Sequence, residues 1–164
     1  MTDGSGAVVG HPFTTMLSEA SAGNIKIKMD LEQFVHLDRD CETFITLISQ
    51  IQRMADDVSR VGTWGLGEHT VTDDGKKLTS GEALAQRFKT KSRGSNDETD
   101  NSVYAMMTAH LQAAKDLQEV YQRIRKQITD HDAEQAAKYA DLEKNLPPEP
   151  GVSVPQFKPP NYAG

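Results

Sequence analysis

The chain reads as an all-α protein, a long antiparallel helical hairpin or bundle with short accessory helices and a proline-rich C-terminal tail. Three observations predict this. Segments 31–61 and 102–144 carry apolar residues in steps of three and four, the spacing that keeps one helical face against a partner. Polar, glycine-bearing stretches separate them, as connections between helices require. Six of the 7 prolines fall after residue 146, where no helix can continue.

The first 29 residues read as a flexible segment with one short helix. Residues 1–10 are small and glycine-rich, a composition that resists ordering. In 11-HPFTTMLSEA-20, Phe13, Met16, Leu17 and Ala20 fall at helical spacing, with Pro12 near the first turn. Ser21-Ala22-Gly23-Asn24 breaks that pattern. The run 25-IKIKM-29 has a two-residue period, which predicts an extended connector. One such segment cannot form a stable sheet.

The helical domain is expected over 30–146. Asp30 with Gln33 has the form of a capping box. Phe34, Leu37, Cys41, Phe44, Ile48, Ile51, Ala55 and Val58 then make an unbroken seam, and Gly62 is placed to end the helix as a C′ glycine. Thr79-Ser80-Gly81-Glu82 predicts a short helix carrying Ala83, Leu84, Arg87 and Phe88. The second long helix begins near Ser102, with Val103, Met107, His110, Ala114, Leu117, Tyr121, Ile124 and Ile128 as its seam. Pro147-Pro148 stops it, and residues 147–164 read as an extended or disordered tail. Two helices alone bury little, so the core is expected to close against a second hairpin, from the chain itself, a copy or a partner.

Composition narrows the function. With 164 residues, 37% of them hydrophobic, and a mean hydropathy of −0.58, the chain suits one domain with a narrow core. A net charge of −6, with no lysine and arginine run longer than a pair, argues against nucleic acid as a partner. The single cysteine, Cys41, permits no intramolecular disulfide or thiolate metal cage. No eighteen apolar residues run together, so no membrane span is expected. The opening residues lack a basic region followed by an apolar one, so no cleavable leader is expected either.

Catalysis finds no support in the residue pattern. His11, His36, His69, His110 and His131 share no ligand spacing. His110, on the seam, is expected to be a hydrogen-bonded core histidine, and His131-Asp132 a solvated helix face. Cys41 reads as an inert core residue. No nucleophile elbow, phosphate loop, zinc-protease or calcium-loop pattern occurs. No enzyme activity, metal or cofactor is expected.

The remaining feature is 61-VGTWGLGEHT-70, where the only tryptophan sits among three glycines. Trp64 there can plug a helical reversal, with Gly62, Gly65 and Gly67 supplying positive φ. It can equally dock a partner, tryptophan being the residue most enriched in binding hot spots. Further on, 139-YADLE-143 places Tyr139 and Glu143 one helical turn apart.

Two long helices around a Trp-Gly turn, with Tyr-x-x-x-Glu near the end of the second, resemble the WXG-type helical-hairpin proteins of type VII (ESX) secretion. The resemblance covers residues 31–143. Glycine follows Trp64 by one and three residues, not two, and an inserted helix at 80–91 lengthens the connection, so the chain resembles an elaborated relative. The resemblance implies export or placement in the cell envelope without a leader, Trp64, Gly65 and Gly67 as the turn motif, and Tyr139 and Glu143 as the secretion signal. The implied partner is a secretion ATPase, a chaperone or a second helical hairpin. A different class of function fits the same helices: a cytoplasmic or phage-related assembly adaptor that uses the seams only to oligomerise.

Overall fold

The structure is a computed structural model that describes residues 11–25, 27, 29–76, 79–94 and 101–147. The expected disorder of residues 1–10 and the proline-rich tail beyond Pro147 lie outside the described residues. The protein is all-α. Its helices are α1 (Thr14–Ser21), α2 (Leu31–Arg60), α3 (Thr79–Arg93), α4 (Val103–Asp130) and α5 (Ala133–Asn145). They divide into two compact units. Among the described residues, unit 1 holds 11–47 and 109–147, and unit 2 holds 48–108; α2 and α4 each contribute residues to both.

In unit 1, α1 ends where Gly23 takes a φ of 76°, and its N–H and that of Asn24 return to the Ala20 and Glu19 carbonyls. Ala20 is fully buried in a cluster with Leu31, Phe34, Val35, Val120, Ile124 and Tyr139. Ile25, Ile27 and Met29 pack against that cluster, so the alternating connector sends its apolar side inward. Each well-buried aliphatic or aromatic side chain here stabilises the fold by roughly 1.5–3 kcal/mol.

The start of α2 is the expected box. Asp30 Oδ1 accepts from the Gln33 N–H at 2.9 Å, and Gln33 Oε1 accepts from the Asp30 N–H at 3.0 Å. Only half of its seam is interior. Phe34, Cys41, Ile48 and Ala55, seven residues apart, are buried, whereas Leu37, Ile51 and Val58 are half-buried and Phe44 is 53% exposed. Burial pushes the Cys41 thiol above its ordinary pKa, reinforced by Asp38 and Asp40, which keeps it a poor nucleophile. Gly62 is not among the glycines with positive φ, so it is no C′ glycine. The helix instead closes with a tighter bond from the Val61 N–H to the Val58 carbonyl at 3.3 Å, and Val61 itself turns inward.

In unit 2, α3 ends at Gly94, where φ is 98° and the N–H returns to the Thr90 carbonyl at 2.8 Å. Buried Ser102 starts α4 by accepting the Ala105 N–H on its hydroxyl at 3.1 Å. Gln52 donates to Thr108 at 2.9 Å, and Arg93 pairs with Asp56 at 2.9 Å while lying over the Tyr104 ring.

The second long helix differs from expectation in two ways. It is two helices, α4 and α5, because Asp132 leaves helical geometry (φ −146°, ψ 105°) and its carboxylate accepts the Glu134 and Gln135 N–H groups. An N-cap therefore stands where His131-Asp132 reads as a solvated helix face. Its buried face also differs: His110 is exposed, not a core histidine. Ala114 and Ile124 of the expected seam are buried, but Asp116 and Val120, which lie off it, are buried with them.

Candidate functional site

The candidate residues fall in different units. Trp64, Gly65 and Gly67 belong to unit 2, Tyr139 and Glu143 to unit 1.

Around Trp64 the chain wraps a carboxylate. Glu68 is buried; it accepts the Trp64 N–H on one oxygen and the Leu66 N–H at 2.8 Å on the other. Gly65 (φ 70°) and Gly67 (φ 76°) provide the left-handed residues that let both N–H groups converge. The N–H bonds, led by that of Trp64, hold the Glu68 carboxyl below its usual pKa. The turn presses on α3: a Cβ at Gly81 would lie 2.4 Å from the Leu66 carbonyl oxygen. The half-buried Trp64 indole stacks on Phe88 of α3 at 5.2 Å between centroids. Its Nε1 is buried and has no acceptor among the described residues. Phe88 and Leu84, one turn apart, remain 45% and 42% exposed beside it. Sequence spacing does not reveal the Glu68 wrap or the Phe88 stack, because both depend on where the loop meets α3.

In unit 1, Tyr139 is the one buried residue of α5. The Arg125 guanidinium lies 4.5 Å from its ring centroid and donates to its hydroxyl. Burial raises the phenol above its ordinary pKa against the opposing pull of Arg125. Arg125 also reaches Asp38 at 3.3 Å, and Asp38 accepts from Gln118 and Gln122 at 2.9 Å each. Arg39 clamps the far end of α5, donating to the carbonyls of Glu143, Leu146 and Pro147. The Glu143 side chain is exposed. Tyr139 and Glu143 thus share a helix but not an environment, one ring facing the core and one carboxylate facing water.

A third constellation anchors the N-terminal region. Asp116, whose side chain is 2% exposed, meets His11 Nδ1 at 2.8 Å, accepts from Gln112 at 2.8 Å and receives the Phe13 N–H at 3.5 Å. Desolvation pushes the Asp116 carboxyl upward, but hydrogen bonds from His11, Gln112 and Phe13 outweigh it and hold the pKa below its usual value.

Among the described residues, no group of three or more His, Cys, Asp and Glu side chains is placed to hold a metal ion. No helix among them is long and apolar enough to cross a membrane. Compared with known proteins, the chain matches no family model, no curated protein and no solved structure.

Proposed function

We propose that the chain acts by protein–protein binding, as a type VII secretion substrate or a helical partner protein associated with that secretion, with Tyr139 and Glu143 as its export signal. The observation that carries the reading is local. Both residues stand in α5, one turn apart, and the Glu143 carboxylate faces water, where a receptor can pair it. The Trp-Gly turn is a candidate contact for a secretion ATPase, a chaperone or a second helical hairpin, because the Trp64–Phe88 stack leaves Phe88 and Leu84 partly exposed.

A culture-filtrate assay tests this. Full-length protein is expressed in a host carrying the secretion machinery, with its ATPase present or deleted, beside Glu143→Ala and Asp141→Ala variants. The expected result is ATPase-dependent export, abolished by Glu143→Ala and kept by Asp141→Ala, whose carboxylate points to another side of the helix. Export of Glu143→Ala at the wild-type level removes the signal reading.

A second reading rests on Phe44. Its 53% exposure, in a seam whose other residues are buried or half-buried, suits an assembly adaptor whose seam closes against a copy or another helix. Sedimentation separates the two readings: concentration-dependent self-association, lost in Phe44→Asp, favours the adaptor.

A further inference from the structure

The aromatic face of unit 2 is open. Trp64 stacks on Phe88 at 5.2 Å, and beside that stack Phe88, Leu84 and Leu66 remain 45%, 42% and 41% exposed. We propose that this face is the docking site of the chain's own proline-rich segment, residues 155–162, which lies on it as a polyproline II helix. The docking does not rest on the export reading.

The sequence of the segment suits an aromatic ledge. Polyproline II has three residues per turn. In 155-PQFKPPNY-162 that period puts Phe157 and Pro160 on one edge, and Pro159 and Tyr162 on the next. The third edge carries Pro155, Asn161 and Lys158, the only charged residue of the stretch. Apolar edges of a proline-rich segment against aromatic side chains, with a polar edge left to water, is a recurring mode of peptide recognition. Such a segment is stiff before it docks, so ordering it costs little conformational entropy.

The chain is long enough to deliver it. Pro147 stands at Arg39, whose guanidinium donates to the Pro147 carbonyl at 2.9 Å. From Arg39, α2 continues unbroken to Arg60, roughly 30 Å at the rise of an α-helix, and Trp64 follows four residues later. Along a polyproline II segment, residues 155–162 lie at about 25–46 Å from Pro147, a span that brackets this distance. Tethering also decides which copy supplies the segment. A linker of this length holds it at an effective concentration in the millimolar range, which a second copy matches only in far more concentrated solution. A partner that uses the Trp64 face must therefore displace the tail.

The test uses the full-length chain. Trp64 is the only tryptophan, so its emission and its one indole N–H resonance report on this face alone. In the double variant Phe157→Ala with Pro160→Ala, which loses one apolar edge, the emission should shift to the red and acrylamide should quench it more, with helix content unchanged. Lys158→Ala, on the polar edge, should leave both as in wild type. Contact is read directly from a nitroxide on Asn161→Cys in a Cys41→Ala background. The Trp64 indole resonance should lose most of its intensity, and regain it when Phe157 and Pro160 are also replaced. Wild-type emission and quenching in the double variant, or an indole resonance untouched by the nitroxide, overturns the proposal. Equal broadening in a mixture of nitroxide-bearing chains with isotope-labelled, nitroxide-free ones would show that a second copy supplies the segment, and overturns docking within one chain.

Discussion

The Arg125 guanidinium covers the Tyr139 ring at 4.5 Å and donates to its hydroxyl across 14 residues of chain. This one pair ties α5 to α4, and through Asp38 to α2. A cation over an aromatic face adds roughly 0.5–2 kcal/mol to the burial of the ring.

Tyr139→Ala should therefore lower stability by about 3 kcal/mol, as large aromatic truncations do. Tyr139→Phe keeps the ring and should cost about 1–2 kcal/mol for the lost hydroxyl bond. Urea melts of both variants measure the difference. Equal, near-zero effects would mean α5 does not dock through this ring.

Asp116 makes the protein sensitive to acid. Its folded pKa is depressed, so its contribution is complete above the unfolded value of about 3.9 and disappears as pH falls through the folded one. Asp116→Asn should flatten that part of the stability–pH curve and, at neutral pH, cost about 2 kcal/mol of charge-assisted hydrogen bonding. Thermal melts between about pH 7 and about pH 2, across the carboxylate range, read both effects. An unchanged acid slope in the variant would show that other carboxylates carry it.

Gly81 is the tightest point between α3 and the Trp64 turn. Gly81→Ala would bring a methyl within 2.4 Å of the Leu66 oxygen and 3.0 Å of the Glu68 nitrogen. Both are backbone atoms, so the two elements must part, at a cost of about 1–3 kcal/mol. Tryptophan emission should shift to the red as the indole loses Phe88. A variant with wild-type emission and melting would refute the close approach.

Trp64 stacks well but leaves its Nε1 buried without an acceptor. Trp64→Phe keeps an aromatic ring against Phe88 and removes that orphan donor, whose burial costs about 1–3 kcal/mol. Its stability should stay within about 1 kcal/mol of wild type, the lost area and the relieved donor offsetting each other. Trp64→Ala should lose about 3 kcal/mol. Equal melting of both variants would show the ring contributes nothing to unit 2.

Features set by neighbouring residues were legible in the sequence: the Asp30–Gln33 box, the helical periods and the core placement of Cys41. They depend on hydrogen bonds three or four residues long and on apolar spacing along one helix. The break at 131–132 was equally local, an aspartate with a glutamine three residues later, but neither His131 nor Asp132 is a residue that must break a helix. Only packing chose between a break and a continuous helix. Tyr139 turns inward because Arg125 and the Leu31–Phe34–Val35 cluster wait there, and Phe44 stays outside because its half of the α2 seam lies at the edge of what is covered. Asp116 needs His11 from 105 residues away, and Gly81 must be glycine because the Leu66 carbonyl crosses its α-carbon. Spacing along a chain specifies which face of a helix is apolar; the tertiary structure alone decides how much of that face is covered, because coverage depends on partners that approach through space.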